Sequence, residues 1–552
     1  MSDNINALAV EYFDFRHRVS PTSAHLDGDY RFADRFDDLS RAAEDDEIEE
    51  DREFARRATA CDEGLNPEDR ISRDMMAWDA TVRADLLESR LAEFGVNPIS
   101  GHQAMLPVRI PKLSMPSVEV AEAMAGKLRG VGQAFRAMAD RLREGVASDR
   151  TPAEFAVRQT IPQLDAWLAI PVAQDPLLNV TEPPGMADPL AWRDRLRAAI
   201  EAEVRPALVV YRDVLLDEVL PQARPDDHAG LSWLPDGAEA YDRAIRLYTT
   251  LALPAEQIHE IGLSQVETLG AEYRQLGPQV TGSDDLATIF EALRSDPALH
   301  HTNADEIVAA ATAALSKAKS AMTGWFGILP QADCAVEAAT SGAVAYYFSP
   351  ALDGSRGGVF FMNTSEPTGW GRYQIESTAY HEGIPGHHLQ LAIAGELTTI
   401  PEFRKRAFIA AYSEGWGLYA ERLADEMGLY ATPLDRMGML AADSMRACRL
   451  VVDTGLHALG WGRRQAIDYM LENSPMRESH VTAEIDRYLV VPGQALSYMI
   501  GRLEIQRIRA GAAAALGDRF EIKAFHDVVL GSGNLPLPML DRVVRDWLAA
   551  AG

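Results

Sequence analysis

The 552-residue chain is 47% hydrophobic and 24% charged, the balance of a globular protein with a large core rather than of a disordered or fibrous one. Its 53 basic and 82 acidic residues leave a formal charge of −29, which repels phosphate backbones and argues against nucleic acid as a partner, while favouring metal cations and amine-bearing substrates. Three scattered cysteines, Cys61, Cys334 and Cys448, form no CxxC pair and no disulfide framework, and no window approaches the ~20 uncharged apolar residues of a membrane span. The opening Met1-Ser2-Asp3-Asn4-Ile5-Asn6 has neither a basic region nor an apolar run, so the cytoplasm is the expected compartment.

Residues 7–51 read as acidic and irregular, packed onto the body of the protein through Tyr12, Phe13, Phe15, Tyr30, Phe32 and Phe36. Asn66-Pro67-Glu68-Asp69 is a helix start: a side-chain cap, proline at the first helical position, then acids at the positive dipole end. It predicts a helix carrying Ile71, Met75, Trp78, Val82, Leu86 and Phe94 at steps of three and four. Ser117 opens a run to about Val146, and Thr151-Pro152-Ala153-Glu154 reads as a capping box. Asp188-Pro189 opens a run through Glu218, Pro254 another through Leu276, and Asn303 an alanine-rich one to Met322. No fixed-period repeat or low-complexity linker divides the chain. We therefore expect one helical domain over residues 1–552, with a helical half at 1–330 and a second half at 331–552 that holds the chemistry.

The period then changes. Residues 335–339, 343–348 and 358–363 are short runs rich in Val, Tyr and Phe, separated by Ser341-Gly342 and by Asp353-Gly354-Ser355-Arg356-Gly357. They predict a small β-sheet whose edge could hold an extended peptide by backbone pairing. Helix resumes at Gln374, with residues 404–423 and 434–470 on later helices and a closing helix from Leu537 to about Ala550. The fold class is mainly α, with a small sheet next to the densest histidine segment.

That segment is Tyr380-His381-Glu382-Gly383-Ile384-Pro385-Gly386-His387-His388, which holds three of the thirteen histidines within eight residues. A second carboxylate stretch follows at Ser413-Glu414-Gly415-Trp416-Gly417-Leu418-Tyr419-Ala420-Glu421. A His-Glu pair, a later His and a Glu on a following helix are the donors of a catalytic zinc site. The usual spacing of four residues between the histidines is broken, because Pro385 stands where the second would be. In an unbroken helix His387 falls about 120° off the face of His381; His388 falls within about 20° but about 10.5 Å along the axis. Pro385 lacks an N–H and clashes with the preceding turn, so the helix breaks here and His387 can return to the site. His381, His387 and Glu414 are accordingly the expected ligands, with His388 the alternative to His387 or a group facing substrate. Glu382, which follows a ligand directly, is suited to act as general base. Glu421, seven residues after Glu414, is suited to orient a ligand histidine.

These residues also carry a resemblance. His381-Glu382-Gly383-x-Pro385-Gly386-His387-His388-Leu389-Gln390, Ser413-Glu414-Gly415-Trp416, Asp453-Thr454-Gly455-x-His457 and Arg487-Tyr488 through Pro492-Gly493-Gln494-Ala495-Leu496-Ser497-Tyr498 resemble the bacterial family catalogued as domain of unknown function 885. Leu234-Pro235-Asp236-Gly237 and Phe525-His526-Asp527 extend the likeness over nearly the whole chain. The His-Glu…Glu order is further similar to gluzincin-like zinc peptidases of the angiotensin-converting-enzyme, thimet-oligopeptidase and Taq-carboxypeptidase type. That similarity implies an elongated helical zincin-like body with a deep groove, Zn2+ at its floor and short peptides as substrate. It also implies an oxyanion donor at Tyr498, with His457 a second candidate, while His526 and Asp453 are expected to be structural. Arg502 and Arg356 are the arginines offered for a substrate carboxylate. The expected activity is that of a zinc metallopeptidase acting on short peptides, with no nucleic acid or membrane partner and no oligomeric state implied. The rivals are a zinc amidohydrolase acting on a non-peptide or modified amino-acid amide, and a helical protein that binds peptides without cutting them.

Overall fold

The N-terminal stretch is helical rather than irregular. In the computed structural model, which describes residues 4–62, 64–351 and 356–551, helices run over Ile5–Val19 and Arg41–Ala60. The second is so acidic that its apolar face shrinks to Phe54 and Ala58, buried with Asp51, and a face that narrow leaves little periodicity to read. Tyr12 and Phe15 meet Phe54 with ring centroids 5.2 and 5.1 Å apart, so the aromatic anchors do pack inward. Met1-Ser2-Asp3 and the loop residues Asp353-Gly354-Ser355 lie outside the described residues.

Side-chain caps set many of the helix starts. Asn66 Oδ1 accepts the Asp69 N–H at 2.9 Å ahead of the Pro67–Leu87 helix, which stops short of Phe94. Ser117 caps Val118–Ala147, Asp188 caps the helical run from Pro189, and Asn303 caps Ala304–Ala321. The run from Pro189 passes through π-helical stretches at Ile200–Val204 and Val214–Val219. The capping box expected at Thr151 does not form. The Glu154 N–H is given to the Arg224 carbonyl at 2.7 Å and the Arg224 N–H to the Pro152 carbonyl at 2.9 Å, so this stretch pairs as extended chain and the helix begins at Glu154.

The chain gathers into two compact units, Met1–Arg243 with Gly460–Arg464, and Ala244–Leu459 with Gln465–Gly552. The first is helical throughout its main elements. The second holds helices and one sheet of three strands, β1 (Cys334–Ala339), β2 (Ala345–Phe348) and β3 (Gly358–Asn363), in the order β1-β3-β2. β1 runs parallel to β3, with Cys334 opposite Gly358, and β2 antiparallel, with Tyr347 opposite Phe360. Helix makes up 71% of the protein, which is mainly α. Among the described residues no helix is long and apolar enough to cross a membrane.

Six helices of the second unit carry the histidine and glutamate segments and what surrounds them: Gln374–Glu382, His387–Glu396, Ala410–Glu426, Pro433–His457, Glu478–Val490 and Ser497–Leu516. The run expected over 404–423 is broken, since helix Glu402–Arg406 ends before Ala410. Glycine lets two of these helices touch backbone to backbone. A Cβ on Gly415 would stand 2.5 Å from Cα of Gly501, so the Glu414 helix lies directly on the Tyr498 helix.

Candidate metal centre

The chain breaks where the proline predicts. Helix Gln374–Glu382 ends at Gly383, and a new helix begins at His387 after Gly386, the Ile384–Pro385 bond being cis. A Cβ on Gly386 would run into the carbonyl oxygens of His381 and Tyr380, so only glycine lets the turn fold back onto the first helix. Trp416 Nε1 donates to the Pro385 carbonyl at 2.9 Å and ties the turn to the Glu414 helix. His387 thereby starts a fresh helix instead of continuing the old one, and returns to the side of His381.

His381, His387 and Glu414 converge: one donor atom from each lies within 4.8 Å of the others, and among the described residues no other group of three or more such donors does so. The Nε2 atoms of His381 and His387 are 3.5 and 3.3 Å from Glu414 Oε2. The two imidazoles cross at 83° with centroids 4.7 Å apart. His381 keeps Nε2 free to face the cluster because its Nδ1 is bonded to Glu421 Oε1 at 2.8 Å. Gly417 makes room for that ring, since a Cβ there would stand 2.6 to 2.9 Å from its Cε1, Nε2 and Nδ1.

The electrostatics suit a cation. Burial opposes charge on His381, but hydrogen bonds to Glu414 and Glu421 outweigh it and hold the imidazole at about 9. Burial likewise raises Glu414, yet His381 and His387 carry it well below the usual carboxylate range. A proton on an imidazole thus balances the buried carboxylates, and a divalent ion would displace it. His387 Nδ1 and Glu421 Oε2 are buried without a hydrogen-bond partner. Two imidazoles and one carboxylate are the donor set of catalytic zinc sites that keep a position open for water or substrate, so these residues fit that ion.

Glu382 ends the His381 helix, half-buried, and its carboxylate forms no hydrogen bond or ion pair with the described residues. Tyr498 lies against the cluster, its ring 6.3 Å from that of His381 and inclined by 22°. Burial raises its phenol, and Glu414 raises it further against the opposing pull of Arg449 and Arg487, so the hydroxyl keeps its proton.

Two expected residues are not brought in. His388, the alternative ligand, has both nitrogens engaged elsewhere, Nδ1 with the Tyr347 hydroxyl of β2 at 2.8 Å and Nε2 with the Ala332 carbonyl at 3.0 Å. It ties the helix to the sheet. His457 sits at the C-terminal end of the Pro433–His457 helix, with Nε2 3.1 Å from the Tyr488 carbonyl oxygen. It is not among the three donors that converge. The arginines offered for a substrate are also committed. Arg502 pairs with Asp443 at 2.6 Å and Gln265 at 3.0 Å, and Arg356 donates to the carbonyls of Gly357 and Ser349. His526 and Asp453 make interior bonds, His526 to Tyr419 and Trp325, Asp453 to the Gly493 N–H.

A mainly α protein with a buried His-His-Glu cluster is the class these features define. The chain belongs to the family described as bacterial protein of unknown function (DUF885), whose profile matches residues 21–544. It is similar to the crystal structure of a candidate lipoprotein from Colwellia psychrerythraea, at 25% identity and a TM-score of 0.90 over 99% of each chain. A candidate lipoprotein of unknown function from Shewanella oneidensis shares the fold at 16% identity and a TM-score of 0.80, over 98% of this chain and 100% of that one. No curated protein matches the chain.

Proposed function

We propose that this protein is a zinc-dependent hydrolase that cleaves amide bonds of short peptides, akin to the zinc peptidases that its His-Glu…Glu order resembles. The observation that carries the reading is the convergence of His381, His387 and Glu414 beside an unpaired Glu382. His381, His387 and Glu414 would hold the ion, and Glu421 fixes the tautomer of His381. When bound, zinc supplies a Lewis acid that polarises a carbonyl and acidifies water. Glu382 takes a proton from the attacking water as its oxygen bonds to the acyl carbon, then returns that proton to the amine nitrogen as the C–N bond breaks. Tyr498, protonated and next to His381, donates to the oxygen on which negative charge develops.

Glu382→Gln tests this reading, because it removes the base and leaves the three donors in place. The variant is expected to bind zinc as the wild type does while losing at least about 100-fold in turnover of short peptides. Hydrolysis at near the wild-type rate would overturn the mechanism, and a wild type that takes up no divalent metal would overturn the reading itself. The compartment is part of the same proposal: cytoplasmic placement stands against the lipoprotein descriptions of both similar structures, and probing soluble and membrane fractions of the native cells decides between them.

A further inference from the structure

The steps above leave unused a group of arginines around Tyr498. Arg446 and Arg449, one turn apart on the Pro433–His457 helix, place their guanidinium carbons 5.7 and 4.4 Å from the centroid of the Tyr498 ring. Arg487 approaches from the Glu478–Val490 helix and donates to Glu484 at 2.9 Å and to Gln494 at 2.5 Å.

Their counter-charges are few. Glu484 takes both Arg449 Nη2, at 2.7 Å, and Arg487. Arg446 has Glu421 Oε1 at 3.7 Å, but that oxygen is already bonded to His381. Among the described residues three guanidiniums therefore share two carboxylates, and one of those serves the metal cluster. Arg449 is 5% exposed, with Nε on the Tyr488 hydroxyl at 2.8 Å, yet its Nη1 has no hydrogen-bond partner among the described residues, and neither does Nε of Arg446. Leaving such donors buried and unmatched is unfavourable, and an anion that accepts from them removes that cost. Arg446, Tyr498 and Gln494 are each only partly buried, the Arg446 side chain at 14% exposure, so the unmatched donors sit directly beneath residues that solvent touches.

We propose that Arg449 and Arg446 form a carboxylate-binding subsite, so that the substrate presents a free carboxylate close beyond the bond that is cut. This deepens the hydrolase reading and rests on it for which bond breaks. The ligand class is a dipeptide or the C-terminal end of a short peptide. A planar guanidinium matches a carboxylate with paired N–H donors, and such bonds are charge-assisted. The reach fits. The Tyr498 ring stands 6.3 Å from that of His381 and 4.4 Å from the Arg449 guanidinium, so the two lie at most about 11 Å apart, a gap that two extended residues of about 7 Å cover together with the contact distances at either end. A carbonyl at the metal cluster and a carboxylate one residue further on can thus be held together, with Tyr498 between the two groups.

The test compares acid with amide on the full-length, zinc-loaded protein. N-acetyl dipeptides with a free C-terminal carboxylate and their C-terminal amides are assayed for kcat/KM, and N-acetyl amino acids and their amides for binding by calorimetry. The wild type is expected to favour the acid by about 10–100-fold in both measurements. Arg449→Gln and Arg446→Gln should each lose most of that preference by weakening the acid alone, with zinc content unchanged, and Arg449→Lys should retain part of it. Arg446→Gln, at a less buried site, carries the test if the Arg449 variants do not fold. Equal binding of acid and amide by the wild type, or equal losses for both in Arg446→Gln, would overturn the subsite. If neither dipeptide is cut but the acid alone binds, and Arg446→Gln abolishes that binding, the hydrolase reading falls and the subsite stands.

Discussion

Gly417→Ala is the sharpest probe of the metal centre, because it touches no donor atom and yet is aimed at one. The added methyl would stand 2.6 to 2.9 Å from three atoms of the His381 ring, where ordinary contact begins near 3.4 Å. The ring cannot yield freely, since its Nδ1 is bonded to Glu421 at 2.8 Å and its residue lies inside the Gln374–Glu382 helix. Relief has to come from moving the imidazole or the Glu414 helix, and either change separates Nε2 from its partners. Overpacking of this kind costs about 1–3 kcal/mol of stability. Disturbing an oriented ligand costs about 10–100-fold in metal affinity, which removes about 1.4–2.7 kcal/mol of zinc-linked stabilisation at saturating metal. Competition against a chromogenic chelator gives the affinity, and thermal melts with and without zinc give the linkage. Gly511→Ala is the matched control: it lies in the Ser497–Leu516 helix with nothing within 4 Å of the new methyl, and it should be neutral or stabilising by up to about 1 kcal/mol. If Gly417→Ala binds zinc as tightly as Gly511→Ala and gains as much from it on melting, the imidazole of His381 is not what holds the ion.

Two further outcomes can be measured directly. Glu421→Gln retains an oxygen for His381 Nδ1 but loses the charge, so zinc affinity should fall about 10–100-fold with the fold intact, and an unchanged affinity would remove Glu421 from the centre. Asp51, fully buried with Oδ1 unpartnered, is pushed by burial to about 7, with Glu47 raising and Arg16 opposing. Because its folded value lies above the unfolded one, the native state binds the extra proton between about pH 4 and 7 and loses stability as pH rises through that window. Asp51→Asn should therefore gain on the wild type across it, by at most about 4 kcal/mol above pH 7 in denaturant melts, and a pH-independent difference would contradict the assignment.

What could be read from the sequence was local, and what could not was tertiary. Asn66, Ser117, Asp188 and Asn303 announce their helices because a cap acts within three residues. That His387 and not His388 turns toward His381 is legible too, since a proline between glycines breaks a helix whatever surrounds it. The 41–60 helix was hidden because its charges leave a face of Phe54 and Ala58, which makes sense only against the Tyr12–Phe15 surface. The arginines are hidden for the same reason. The partner that engages Arg502, Asp443, lies 59 positions away in the chain, and nothing local distinguishes Arg449 from any other helical arginine. Its significance depends on Tyr498, which a different helix brings to it.

Charge of both signs gathers around Tyr498. On one side of the ring's neighbourhood are Glu382, Glu414 and Glu421 with two imidazoles, a set that asks for a cation. Also around the ring are Arg446 and Arg449, with donors that ask for an anion. Neither demand is met by the chain's formal net charge of −29, which attracts a metal cation and repels a peptide acid. A substrate that ends in a carboxylate satisfies the second demand only if its preceding carbonyl turns toward the first, so the two poles would orient the chain before any bond is made. Reversing it would set a carboxylate among glutamates and an ammonium against guanidiniums, and like charges so placed cost several kcal/mol. Direction of binding, on this reading, follows from where the arginines stand relative to the cluster. The same asymmetry predicts that amidated peptides lose orientation as well as affinity, and hence turnover as well as KM.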